Sequence, residues 1–124
     1  MSIEELKGLV ITKIEGLSEG QDSVIFTTNN GRYLMYHNQD CCESVSIESV
    51  YGDIDDLLNH PIVIAEENSH HDSIYPNVES ESWTWTFYKL ATVKGYVDIR
   101  WYGQSNGYYS ESVDFEKMEE NNVH

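Results

Sequence analysis

Alternation of apolar and polar residues is the dominant pattern along this chain, and it predicts strands. Two such runs, 23–28 and 32–36, are separated only by Asn29-Asn30-Gly31. An Asn-Gly pair supplies the positive φ angle that a tight hairpin turn needs. The clearest predicted element is therefore a β-hairpin.

Similar patterns recur along the rest of the chain, where β-branched and aromatic residues indicate further strands. In the 96–102 run, Val97, Ile99 and Trp101 fall on one face. Short helices are predicted near Ser2, which has the form of a capping box, and over 53–58, where acids occupy the first turn. The further predicted strands are 9–17, 45–50, 62–65, 83–93, 96–102 and 108–115.

Together these elements predict an α+β fold that is mostly antiparallel β. We expect a single sheet or a partly closed, barrel-like meander carrying one or two short helices, with the last three strands forming an antiparallel meander. The length of 124 residues favours one domain over 1–124. Within it, 66–82 reads as a surface loop and 117–124 as a frayed tail.

The charge narrows the possible partners. Seven basic residues stand against 22 acidic ones, giving a formal net charge of −15. So negative a surface repels nucleic acid and anionic membranes and favours basic proteins, although simple solubility would explain it as well. No signal peptide and no membrane-spanning apolar run is visible. We therefore expect a soluble, cytoplasmic monomer with reduced cysteines.

The stretch from His37 to Glu43 gathers the most chemistry. It holds both cysteines, one of five histidines and two carboxylates. Imidazole, thiolate and carboxylate are zinc ligands, and the chain has no paired Cys-x-x-Cys motif of a standard zinc finger. We predict a structural zinc ion here, completed by a ligand from elsewhere. The proposed ligands are His37, Asp40, Cys41 and Cys42, with Glu66, His60, His70 or His71 as the remote ligand.

Two other interpretations of this stretch stay open. In one, the cysteines and His37 are ordinary structural residues with no metal. In the other, a cysteine is a catalytic nucleophile; Asp40 and Glu43 disfavour that, because their negative charge opposes formation of a thiolate. No catalytic residue and no organic cofactor site is predicted.

Aromatic residues are concentrated in the later strands, at 83–88, 101–102 and 108–109. Such rings could stack on bases, but a nucleic-acid site would also need nearby Lys and Arg side chains. Alternating aromatic residues in strands usually form the core on one face and an interface on the other.

Three segments, 35–45, 83–89 and 100–110, together resemble a family of small acidic phage and prophage proteins of largely unassigned function. The resemblance spans nearly the whole chain. It implies an anti-CRISPR protein directed at type II systems, and the cysteine cluster suggests a zinc-containing member. No catalytic residues come with it.

The resulting hypothesis is a non-enzymatic inhibitor that binds a type II RNA-guided nuclease and blocks DNA loading or activation. A small metal-dependent hydrolase using the His/Asp/Cys cluster and a metal-free phage interaction protein are the alternatives. The acids expected to contact the partner are Asp53, Asp55, Asp56, Glu66, Glu67, Glu79 and Glu81.

Overall fold

The computed structural model describes residues 2–73, 82–106 and 109–118. Its described strands are all antiparallel to their sheet neighbours and form two four-stranded sheets, ordered β1-β2-β3-β8 and β4-β7-β6-β5. The mostly antiparallel β fold is thus confirmed. The strands are β1 Ile11–Glu15, β2 Ser23–Thr28, β3 Gly31–Tyr36, β4 Ser44–Tyr51, β5 Ile64–Ser73, β6 Ser82–Thr92, β7 Gly95–Ser105 and β8 Asp114–Lys117.

The predicted hairpin is present, with β2 and β3 pairing from Ser23↔Tyr36 to Thr28↔Gly31. Gly31 has φ +100°, a conformation that disfavours any side chain. The Thr28 hydroxyl donates to the Gly31 carbonyl and accepts from the Asn30 N–H. Local sequence thereby sets both the turn and the register.

One hydrophobic cluster joins the two sheets, because each contributes its apolar face to it. Phe26 and Met35 come from the first sheet, and Leu90 and Trp101 from the second; all four are fully buried. Val97, Ile99 and Trp101 share the buried face of β7, as the alternation predicted. Burial of these side chains is the main force holding the sheets together.

The C-terminal meander is where the prediction was wrong. β6 and β7 form its first hairpin, but β8 pairs with β3 in the other sheet, through Met35↔Phe115 and Tyr36↔Asp114. The chain therefore crosses between sheets after β7 instead of making a single sheet or a barrel-like meander. Phe115 explains the choice, since in the first sheet its ring lies 5.7 Å from that of Tyr33 and 6.5 Å from that of Phe26.

The predicted loop over 66–82 is also wrong for its first part. Residues up to Ser73 continue β5, which pairs with β6 without interruption from Ile64↔Ala91 to Ser73↔Ser82. Polar side chains misled the prediction, because β5 lies at a sheet edge where they remain in solvent. Residues 74–81, including Glu79 and Glu81, lie outside the described residues.

The predicted C-terminal tail starts too early. Lys117 belongs to β8, and the Met118 N–H donates to the Arg32 carbonyl. Residues 119–124 lie outside the described part of the chain.

Both predicted helices exist as single 3-10 turns, Ile3–Leu6 and Ile54–Leu57. Ser2 and Asp53 cap them by accepting backbone N–H groups with their side chains. Ile3, Leu6 and Leu57 bury the apolar sides of these turns in the common core. Among the described residues, no helix has the length and apolar character needed to span a bilayer.

Candidate functional site

The turn from His37 to Glu43 connects β3 to β4 at the end of the molecule where β7 also finishes. The central residue of this turn is Glu43, whose side chain is only 1% exposed. One carboxylate oxygen, Oε2, accepts from the Asp40 N–H at 2.7 Å, and the other, Oε1, accepts from the Cys41 N–H at 3.0 Å. The carboxylate therefore shapes the turn by binding its backbone from inside.

His37 completes this arrangement. Its Nε2 lies 2.8 Å from Glu43 Oε2, and its Nδ1 lies 2.7 Å from the Ser112 carbonyl oxygen in the segment leading to β8. A carbonyl and a carboxylate can only accept, so both ring nitrogens carry hydrogen and donate. His37 and Glu43 thus form a buried ion pair that ties the turn to the crossing connection between the sheets.

This environment favours the charged form of Glu43. Hydrogen bonds from the Asp40 backbone, from the His37 ring and from the Cys41 backbone outweigh the cost of burial and lower the pKa of Glu43 to about 2. The side chains of His37 and Glu43 therefore hold the turn in its conformation.

Cys41 and Cys42 form a disulfide with each other. The expectation of two reduced thiols is wrong in this structure. The backbone bends at both cysteines, between the anchored Asp40 N–H and the buried Glu43, and this bend brings the adjacent side chains together.

A zinc ion does not fit the turn as it is arranged. Both sulfurs are committed to the disulfide, and both nitrogens of His37 donate to oxygen. Asp40 is exposed. Within the described residues no group of three or more His, Cys, Asp or Glu side chains is placed to hold a metal ion. The zinc prediction can therefore apply only to a reduced form of the turn.

The proposed remote ligands come from two places in the fold, β5 and the residue before Pro61. Glu66, His70 and His71 are exposed along β5, while His60 is half-buried just before Pro61. His71 has its own partners: its Nδ1 is 2.9 Å from Thr84 Oγ1 and 3.7 Å from Glu111 Oε1.

Glu111 is a second buried carboxylate, and sequence reasoning missed it. Hydroxyl groups of Ser82, Thr84 and Ser105 all donate to it, the last two at 2.8 Å and 2.6 Å. Gly103 makes room, since a Cβ there would lie 3.1 Å from the Cβ of Glu111. Serines flank Glu111 in the sequence, but its partners come from β6 and β7, so no local signal could have identified it.

The outer face of the second sheet is the other candidate site. Tyr51, Phe87 and Tyr96 are 58%, 38% and 56% exposed there. The Trp85 ring stacks on Phe87 at 6.3 Å and tilts against Tyr102 at 4.6 Å. These aromatic side chains, with Arg100 and Lys89 between them, make up what we call the outer aromatic face. A groove of about 450 Å³ crosses it.

Arg100 and Lys89 on this face both contact neighbouring side chains of the same chain. The Arg100 guanidinium lies over the rings of Trp85, at 5.5 Å, and Tyr51, at 5.9 Å, while its Nε donates to Glu48 at 3.2 Å. The Lys89 ammonium lies 5.0 Å from the Tyr96 ring centre. Cation–π contacts and the carboxylate thus hold the rings in a defined arrangement.

The predicted partner-binding acids that lie in the described residues fall into two groups. Asp53 and Asp55 are exposed at the second 3-10 turn, and Asp56 there is half-buried. Glu66 and Glu67 have exposed positions on β5, and partial desolvation of the Glu67 carboxyl raises its pKa above the ordinary value.

These features define a small, mostly antiparallel β protein with two sheets around one core, an internally bonded turn at one end and an aromatic outer face. The chain belongs to the family described as "Domain of unknown function (DUF7448)", whose model matches residues 4–115. No curated protein and no solved structure matches it.

Proposed function

We propose that this protein works by binding, without catalysis, and that its partner is a protein with a basic surface. The observation that carries the proposal is the outer aromatic face. Exposed and half-buried rings that pack on one another within β6 and between β6 and β7 are costly to leave in water, and such clusters mark interaction sites. Tyr, Trp and Arg are also the residues that dominate the energetics of protein interfaces.

Charge selects the kind of partner. The chain carries 22 acidic and seven basic residues. Asp98 and Glu66 line the groove in the outer aromatic face, and Glu48 accepts a hydrogen bond from Arg100 beside it. Because Glu48, Asp98 and Glu66 outnumber Arg100 and Lys89 here and the whole chain carries −15, the field around the face is negative. A basic surface is attracted to it, and nucleic acid is repelled.

The partner implied by the sequence resemblance, a type II RNA-guided nuclease, has this chemistry. Such nucleases hold their guide and target in positively charged channels. Occupation of a channel by an acidic protein would block DNA loading or activation, which is the inhibitory role we propose here.

A binding and cleavage assay with a purified type II nuclease tests this role. We expect capture of the nuclease and loss of target cleavage at saturating inhibitor. The double variant Trp85→Ala/Phe87→Ala should weaken capture by at least about tenfold, because truncation of central aromatic side chains removes hot-spot contacts. Val93→Ala is the matched control, since Val93 is 77% exposed at the β6–β7 turn.

Full cleavage at saturating inhibitor would remove the anti-CRISPR role. Capture assays with a basic protein and with single-stranded DNA would then separate the remaining possibilities. Binding of DNA in preference to the basic protein would overturn the wider proposal as well.

The zinc ion expected from the sequence is proposed only for the protein with reduced cysteines. Elemental analysis after purification with and without a reductant tests it. We expect zinc to bind only to the reduced protein; absence of zinc from both samples would remove the metal from the proposal.

A further inference from the structure

A cleft of about 430 Å³ lies between β5 of the second sheet and β8 of the first. Glu67 lines it on the β5 side, and Asp114 and Glu116 line it on the β8 side. Tyr36 also lines it; this residue pairs directly with Asp114 in the β3–β8 register, and its hydroxyl donates to Glu116 Oε1 at 3.3 Å. We call the space between these four side chains the acidic cleft.

The carboxyl groups of the acidic cleft have no counter-ion among the described side chains. No Lys, Arg or His side chain in the described part of the chain forms an ion pair with Glu67, Asp114 or Glu116. Partial desolvation raises the pKa of Glu67 by more than the charge of the amino terminus lowers it. A cation in the cleft would favour the ionised form of this carboxyl group.

A buried phenol beside the cleft gives an independent sign of a ligand. Tyr88 pairs directly with Glu67 across β5 and β6, so the two side chains share one face of the second sheet. Tyr88 is 1% exposed, and its hydroxyl has no hydrogen-bond partner among the described residues. Burial and the charges of Glu67 and Asp114 raise the pKa of Tyr88, so its hydroxyl lies within electrostatic range of both walls of the cleft. A hydrogen-bond donor that enters from the cleft would satisfy this oxygen.

We propose that the acidic cleft binds a linear polyamine, an aliphatic chain that carries two or more ammonium groups. Ammonium groups donate hydrogen bonds and accept none, so they match a site made of carboxylate and phenol oxygens. With Glu67 on one wall and Asp114 and Glu116 on the other, separated ammonium groups can reach carboxylates from both sheets. This site is independent of the protein partner proposed above.

A single metal ion matches the acidic cleft less well than a polyamine does. Hard cations such as Ca²⁺ need several oxygen ligands that converge on one point. Within the described residues, no group of three or more His, Cys, Asp or Glu side chains is placed to hold a metal ion. The carboxyl groups of the cleft therefore suit an extended cation.

The net charge of −15 attracts polyamines to the whole surface as well. This general attraction is screened beyond about 8 Å at physiological ionic strength. It also depends little on which acid is removed, whereas binding in the cleft saturates and depends on the residues that line it. Saturation and dependence on position therefore distinguish the site from general attraction.

Isothermal titration calorimetry with spermidine at an ionic strength of about 0.15 M tests the proposal. We expect saturable binding of one spermidine per chain with a dissociation constant of about 100 µM or lower. Mg²⁺ at the same concentrations should bind more weakly. Absence of saturable spermidine binding, or equal or tighter binding of Mg²⁺, would overturn the proposal.

Charge removal tests the position of the site. Glu67→Gln and Asp114→Asn should each weaken spermidine binding about tenfold, because each removes a charge-assisted hydrogen bond. Glu19→Gln removes the same charge from the exposed β1–β2 turn and should leave the affinity unchanged. An equal loss in all three variants would show general attraction and contradict a site in the cleft.

Tyr88→Phe tests the part played by the buried hydroxyl. The variant keeps the ring and removes an oxygen that has no partner among the described residues, so the free protein should not lose stability. We expect spermidine binding to weaken about fivefold while the melting temperature of the free protein is unchanged or raised. Unchanged affinity would overturn the assignment of this hydroxyl to the site, on which the proposal depends.

Discussion

The turn from His37 to Glu43 and the outer aromatic face differ in how far their side chains are buried and paired within the chain. In the turn, His37 and Glu43 are buried and each has its polar atoms paired with atoms of the same chain. On the face, Phe87, Tyr51 and Tyr96 leave much of their area in solvent. In the first region the reactive side chains therefore hold the turn, and in the second the exposed rings form the surface that we propose binds a partner.

The core beneath the face sharpens this contrast. The Tyr88 hydroxyl and the Trp101 Nε1 are buried without a hydrogen-bond partner in the described part of the chain. Burial, with the nearby charges of Glu67 and Asp114, raises the pKa of Tyr88 far above its ordinary value. In the turn, the polar atoms of His37 and Glu43 have hydrogen-bond partners. In the second sheet, the two large buried rings each leave one polar atom without a partner among the described residues.

The largest effect should come from breaking the turn. His37→Ala leaves Glu43 buried without its counter-charge, a change that typically costs about 3 kcal/mol of unfolding free energy. Denaturant unfolding measures this loss. Partner capture below the unfolding midpoint should be unchanged; a loss of capture at constant stability would show that the turn itself contacts the partner.

Low pH should reduce stability through the same His37–Glu43 pair. The pKa of Glu43 is lowered to about 2 in the folded protein, so its contribution is present above about pH 4.5 and is lost as pH falls towards 2. Melting temperatures of the unaltered protein should therefore decline more steeply over this range than those of Glu43→Gln. Parallel pH profiles for the two proteins would contradict the assignment of Glu43 as an ionised partner.

Removal of a buried polar group that has no hydrogen-bond partner, under the outer aromatic face, should raise the free energy of unfolding. Tyr88→Phe retains the buried ring and removes a hydroxyl that has no partner among the described residues. We expect stabilisation of about 1 kcal/mol, measured by denaturant unfolding. Destabilisation of similar size would show that the hydroxyl is bonded in solution.

Reduction of the disulfide should have the smallest effect. The link joins adjacent residues and closes almost no loop of chain, so its removal should change stability by about 1 kcal/mol or less. Thermal melts with and without a reductant, in the absence of metal, measure this. A loss as large as that of His37→Ala would mean that the disulfide, and not the ion pair, holds the turn.

Local sequence determined much of this protein. Alternation predicted the mostly antiparallel β fold, the buried face of β7 and the 23–36 hairpin, whose turn depends on neighbouring residues alone. It also identified 37–43 as a special segment, because its residue types are unusual in combination. A capping box at Ser2 marked the first short helical turn, and acids in the first turn marked the second.

Only the tertiary structure decided where β8 pairs, what the 37–43 residues do and which surface is free. β8 joins β3 because Phe115 packs on the rings of Tyr33 and Phe26 in the first sheet, a contact that no local pattern encodes. His37 donates to Ser112, 75 residues away, and Glu111 is held by hydroxyls from two other strands. His37, one of the predicted ligands, lies in an ion pair with Glu43, and pairing with β6 makes the polar stretch 66–73 an edge strand of the second sheet.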